Sequence, residues 1–198
     1  MNQYRGRKYG QAGSGLGSDA SVKKFGRKSA AVGASGERYL ATMLRNNRAT
    51  RDYMMWQSLR IPAQPGQKRY GGDVDMALAS DRKLILVDCK RWAANHVYWS
   101  FFNKPMKNLQ PMGDALSKNM SLAVNRYSDA LPGHIVKGIV VFVPNQYGGV
   151  PTSVGLLRFP GGVRSYMAQD GLRKISRFLG DAGEPSTQLQ GVLGRMTK

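Results

Sequence analysis

Cysteine is nearly absent: the chain of 198 residues carries one, alongside two histidines, His96 and His134. A single thiol excludes an intrachain disulfide framework, and one thiol with two imidazoles argues against a Cys/His structural zinc site. Long apolar runs are missing as well; none approaches the roughly 20 residues that cross a bilayer. Residues 1–28 hold charge but no apolar segment of signal-peptide type, so the expected setting is cytoplasmic and away from the membrane. Acids are scarce: 12 Asp and Glu stand against 30 Lys and Arg, a formal net charge of +18. That imbalance points to a polyanionic partner, most simply nucleic acid. The hydrophobic fraction of 41% is adequate for a globular core and excludes a wholly disordered basic protein.

The pattern along the chain divides it in three. Residues 1–30 are rich in Gly, Ser, Lys and Arg, and read as a flexible basic arm that either grips phosphates without reading sequence or only solubilises the chain. Residues 31–180 hold the periodic segments, and 181–198 read as a C-terminal tail, loose or with a short helix. Ser35 is placed to cap a helix reaching about Asn46, with Leu40, Met43 and Leu44 as its stripe and Glu37 on the same inward face. Residues 53–61 and 73–79 read as strands. Lys83 to Lys90 is nearly solid apolar before its polar end, as in a central strand covered on both faces. A helix is expected over about 112–130, strands over 135–143 and, more weakly, 154–159, and a helix over 166–179. The order is that of a mixed α/β sheet, an antiparallel hairpin followed by a crossover helix to another strand, with helices on its faces.

Four side chains carry the chemistry. Asp88 and Lys90, two apart on one strand, face the same way at the exit of an apolar segment. A turn near Arg82 makes a hairpin that brings Asp75 beside Asp88. Glu37 can add a third carboxylate. Like charges raise one another's pKa and destabilise a fold, and a divalent cation relieves them. Hard oxygen ligands in small number suit Mg²⁺ or Mn²⁺. An amine beside such an ion can orient a water and stabilise charge building on phosphorus. Those are the parts that phosphodiester hydrolysis needs.

These residues resemble the PD-(D/E)xK nuclease superfamily, through Gly72-Asp-Val-Asp75 and the strand ending Val87-Asp-Cys-Lys90. The closer likeness is to its nuclease-related domain, NERD, through Gly36-Glu37, Leu59 to Pro62, Trp92 and the strand Gly138 to Asn145. The resemblance spans about Gly36 to Asn145. It implies a restriction-endonuclease-like fold and a metal-dependent endonuclease acting on DNA. It further implies catalytic roles for Asp75, Asp88 and Lys90, with Glu37 assisting and the Cys89 carbonyl as a metal ligand. Many such nucleases pair to cut two strands, so a homodimer is compatible with it. One motif departs from the family: Gln110-Pro-Met-Gly-Asp114 carries Asp where NERD sequences usually have Gln.

Other residues have plainer readings. Cys89 faces opposite to Asp88, as a small buried hydrophobe. His96 reads as a loop residue and His134 as structural. Trp92, Trp99 and Phe101 either stack on bases or pack under a loop. Lys68, Arg69 and Arg91 flank the acidic group in sequence and, with Lys23 and Lys24 of the arm, are the expected phosphate contacts. The alternative to an enzyme is a non-catalytic basic nucleic-acid-binding protein in which the same acids are structural.

Overall fold

The computed structural model describes residues 6–13, 27–64, 66–67, 70, 72–91, 97–99, 105–107, 110–111, 115–145, 158–159 and 162–198. Their strands form one seven-stranded sheet and one small three-stranded sheet. The large sheet holds β1 (Lys8–Tyr9), β2 (Met54–Arg60), β3 (Asp73–Ser80), β4 (Lys83–Lys90), β8 (Ile135–Phe142), β10 (Val163–Met167) and β9 (Arg158–Phe159), in that spatial order. The small one holds β5 (Val97–Trp99), β6 (Pro105–Lys107) and β7 (Gln110–Pro111). The helices are α1 (Arg27–Asn46), α2 (Ala115–Ala130), α3 (Ala168–Leu179) and α4 (Thr187–Met196).

The expected hairpin is present. Ser80 pairs with Lys83 across a two-residue turn in which Asp81 takes a φ of 51°, a region that a short polar side chain tolerates. β2, β3 and β4 run antiparallel, while β4, β8 and β10 run parallel, so the sheet is mixed. β4 lies at its centre, and both faces are covered, which explains its unbroken apolar stretch. On one face Met76, Leu78, Ile85 and Val87 pack against Leu40 and Leu44 of α1 and Leu172 and Ile175 of α3. On the other, Trp56, Leu84, Leu86 and Phe142 meet Met120 and Tyr127 of α2 and Leu189 and Leu193 of α4. Gly138 lets α2 lie close on β8, since a Cβ there would fall 2.7 Å from Val124.

Several boundaries differ from expectation. α1 starts at Arg27, well before Ser35, because Ala30 and Ala34 are small enough to continue the buried stripe of Glu37, Ala41 and Leu44. Ser35 caps nothing; its hydroxyl donates to Val32 O at 2.7 Å. Within the supposed flexible arm, residues 6–13 lie along the sheet edge. β1 pairs parallel with β2, Tyr9 stacks on Trp56 at 5.2 Å, and Ala12 is buried. Residues 163–167, partly assigned to a helix, form a strand instead, with only a small serine, Ser165, and Val163 buried. Of the two forms expected after residue 181, loose or with a short helix, the structure has the helix. Ser186 caps α4, its hydroxyl accepting Leu189 N–H, and Leu189 and Leu193 are fully buried. Of the weak strand expected over 154–159, residues 154–157 lie outside the described residues, as do Trp92, His96, Phe101 and Asp114.

Candidate active site

The sheet opens at Asp75. Between β3 and β4 the regular pairing stops at Met76 and Val87. Between β2 and β3 it holds on either side of Ser58 and Asp75 but not at them. Ser58 accounts for that gap: its φ of 55° turns the peptide out of the strand. The turned residue is held from both ends of the chain, its hydroxyl donating to Gln11 O at 2.8 Å and its carbonyl accepting Lys198 N–H at 3.1 Å. Asp75 therefore stands in a fork between strands. Its Oδ2 accepts Cys89 N–H at 2.7 Å, so a carboxylate from β3 takes a backbone donor of β4.

Continuing the register one step past Met76 and Val87 sets Asp75 opposite Asp88. Lys90 Nζ lies 2.7 Å from Asp88 Oδ1, with about a fifth of each side chain exposed (22% and 20%). Glu37 reaches the same region from α1. It is 3% exposed, and its Oε2 accepts Gly13 N–H at 2.8 Å. Gly36 makes this approach possible: a Cβ at that position would sit 2.7 Å from the Arg91 Cβ, just past the end of β4.

These groups feel one another. Burial pushes the Asp75 carboxyl well above its ordinary range, and the charges of Asp88 and Glu37 push it further; Lys90 and the Cys89 N–H offset only part. Glu37 is also raised, first by burial, with Gly13 N–H and Lys90 pulling it back and Asp88 adding to the rise. For Lys90, burial works against the charged form, but Asp88 and Asp75 outweigh it and the amine holds its proton more firmly than usual. At neutral pH it is an ammonium. The Cys89 thiol is pushed well up, by burial first and then by Asp75, so it stays protonated; with 7% exposure it is the buried hydrophobe expected, not a nucleophile.

The structure thus brings Glu37, Asp75, Asp88 and Lys90 into one interacting group. Among the described residues, no set of three or more His, Cys, Asp or Glu side chains is gathered as a ready metal cage. The donor set nonetheless suits a hard cation: oxygen only, and each of the three carboxylates keeps one oxygen that accepts no hydrogen bond among the described residues. Arg91 abuts this group. Its Nη1 donates to Ser35 Oγ at 2.8 Å and its Nη2 to Asn145 O at 3.4 Å, while its buried Nε has no partner among the described residues. Lys23, Lys24, Lys68 and Arg69 lie outside the described residues.

Sequence reasoning missed Gly13 as the partner that makes a buried Glu37 tolerable. A glycine-rich basic segment resembles a solvated tail unless its buried Ala12 and its stacking Tyr9 are weighed. It also missed Ser58, since a positive φ in a serine within an apolar strand leaves no mark in composition.

The fold and this acidic fork define a nuclease-related α/β domain. The family model for the nuclease-related domain, NERD, matches residues 32–143, more than half of the chain, and the chain belongs to that family. The resemblance read from Gly36 to Asn145 is therefore borne out, and with it a fold of restriction-endonuclease-like type. No curated protein and no solved structure matches the chain.

Proposed function

We propose that this protein is a metal-dependent nuclease that hydrolyses phosphodiester bonds in DNA. One observation carries the reading: three carboxylates and one ammonium meet at a break in an otherwise continuous sheet, in a chain with 12 acids against 30 bases. A chain so short of acids has no structural need to gather three of them in one largely desolvated group, and doing so is unfavourable. Perturbed carboxylates beside a cation are the mark of a working site.

Asp75, Asp88 and the Cys89 carbonyl would hold Mg²⁺ or Mn²⁺, with Glu37 assisting. Such an ion supplies charge neutralisation on phosphate oxygens and makes a nearby water more acidic. The side chains do the rest. Cys89 N–H fixes the Asp75 carboxylate by one oxygen and leaves the other for binding. Gly13 N–H does the same for Glu37. The Lys90 ammonium is anchored on Asp88, from which its remaining N–H groups can orient a water and donate to a phosphate oxygen as negative charge develops there. To take a proton from that water it must first give up its own, and the attraction of Asp88 and Asp75 opposes this as long as both stay uncompensated.

The second reading, a nucleic-acid-binding protein that does not cut, is favoured by one feature. Lys90 already neutralises Asp88, so the group can be read as a self-satisfied ion pair with two buried acids. Plasmid and short duplexes incubated with Mg²⁺, Mn²⁺ or EDTA separate the two. Metal-dependent cleavage that is lost in Asp88→Ala and Lys90→Ala, with DNA binding retained, supports the nuclease. Binding by the wild type without cleavage in any metal removes it.

A further inference from the structure

We infer that the groove between α1 and α3 is a seat for single-stranded nucleic acid leading to the acidic fork, with Arg91 and Arg38 meeting phosphate and Tyr39 stacking on an unpaired base. The groove has a volume of about 540 Å³ and is lined by Ser35, Arg38, Tyr39, Asn46, Arg91 and Gln169, among others. No Asp or Glu lines it among the described residues. Its volume falls within the range of pockets that take small organic ligands, roughly 300–1,000 Å³.

Arg91 uses two of its N–H groups, on a neutral hydroxyl and a neutral carbonyl, and its buried Nε has no acceptor among the described residues. Neither Arg91 nor Arg38 forms an ion pair with a carboxylate among the described residues. A guanidinium held in place by neutral groups, its charge unmatched, suits a phosphate, which offers oxygens in the fork geometry that arginine matches. Two contacts tie the groove to the fork: Arg91 packs against Gly36, the neighbour of Glu37, and Arg38 lies close enough to Glu37 to ease that carboxylate's burial.

Tyr39 selects the form of the strand. It is 42% exposed on α1, at the groove wall, and belongs to neither core cluster. Bases in a duplex are already stacked and offer no free face. A single strand does, and stacking on an aromatic gains affinity whatever the base. The inference rests on the nuclease reading only for where the strand leads, not for whether it binds.

The test is therefore made without catalysis. Fluorescence anisotropy of labelled oligothymidylate and of a duplex of equal length is measured in EDTA at fixed salt, with wild type, Tyr39→Ala, Tyr39→Phe and Arg91→Ala. Tyr39→Ala should weaken single-strand binding by about fivefold to a hundredfold, the range for losing one stacked base. Duplex binding should be unchanged, and Tyr39→Phe should restore the single-strand affinity. Arg91→Ala should weaken the single strand more than the duplex. Equal single-strand affinity in Tyr39→Ala and wild type overturns the inference, and so does an equal loss on both substrates. Because Tyr39 is exposed, its variants carry the test even if Arg91→Ala fails to fold. Tyr39-dependent binding by a protein that never cuts leaves this inference standing and removes the nuclease.

Discussion

Asp75 and Cys89 are joined by a hydrogen bond of 2.7 Å from the backbone of one strand to the side chain of the next, where the ladder between those strands has ended. The carboxylate stands in for a missing rung. That makes Asp75 both a part of the sheet and a disfavoured charge within it, since burial and two neighbouring acids oppose its ionisation.

Asp75→Asn should therefore separate stability from activity. An amide oxygen keeps the bond from Cys89 N–H but carries no charge. We expect the melting temperature to rise, by about 2–4 °C for each kcal/mol of relief in a protein of this size, and cleavage to be lost. A fall in melting temperature would mean that the charge is not a burden to the fold.

The same residue gives a pH dependence of known sign. Its carboxyl titrates higher in the folded chain than in the unfolded one. Between those two values the folded state binds the extra proton, so stability declines as pH rises through the native titration. The stability difference between Asp75→Asn and wild type should be small below about pH 4, near the unfolded carboxyl value, and should grow towards neutrality. Chemical denaturation over that pH range measures it; a difference that shrinks with rising pH contradicts the assignment.

Removing Lys90 leaves Asp88, Asp75 and Glu37 without their ammonium. Lys90→Ala should lower stability by about 1–3 kcal/mol, less than a fully buried pair because both side chains are a fifth exposed. Divalent cations should then stabilise the variant more than wild type, since a ligand that binds only the folded state stabilises it more the tighter it binds, and the competing charge is gone. Melting curves with and without Ca²⁺, which tests occupancy apart from cleavage, should show the larger shift in the variant. Equal shifts would place the cation elsewhere.

Much of this site could be read before any coordinates. Strand periodicity put Asp88 and Lys90 on one face, and the hairpin at Asp81 and Arg82 brought Asp75 alongside, because alternation and turn chemistry are local properties. Glu37 was legible as an inward carboxylate at helical spacing. Its partner was not, because Gly13 acts through a backbone N–H, which every residue but proline carries. Likewise a short helix is legible in the tail but its docking is not: Leu189 and Leu193 are too few in a short segment to stand out, and the core they enter is built from distant strands.

Gly36→Ala should act on the same geometry from the helix side. The new methyl would start 2.7 Å from the Arg91 Cβ, against atoms anchored at the end of β4. α1 must shift or Arg91 must give way, and overpacking of this kind costs typically 1–3 kcal/mol. We expect a lower melting temperature and a cleavage rate reduced more than DNA affinity, because the shift moves Glu37 while leaving the surface charge intact. A variant as active as wild type would show that α1 need not approach so closely.

Deleting Thr197 and Lys198 should reach the site from the far end of the chain. Thr197 bridges to Leu59, Lys198 N–H bonds the carbonyl of Ser58, and Lys198 Nζ pairs with Asp73 at 2.6 Å. The ion pair is half exposed and adds little. The backbone bond matters more, because Ser58 holds an unfavourable φ only while its neighbours restrain it. The buried face of α4 remains, so the loss is limited to the hydrogen bonds of the deleted residues, Lys198 N–H to Ser58 O and the Thr197 N–H and hydroxyl to Leu193 O, at about 1 kcal/mol each, a fall in melting temperature of roughly 5–12 °C. Cleavage should fall further, by about tenfold or more, the change in barrier that a comparably small displacement of reacting groups produces. The paired measurement is a melting curve and a single-turnover cleavage rate on the same preparation. If the rate is unchanged, the bond from Lys198 is a packing detail, and the bond to Gln11 O suffices to hold the turned serine.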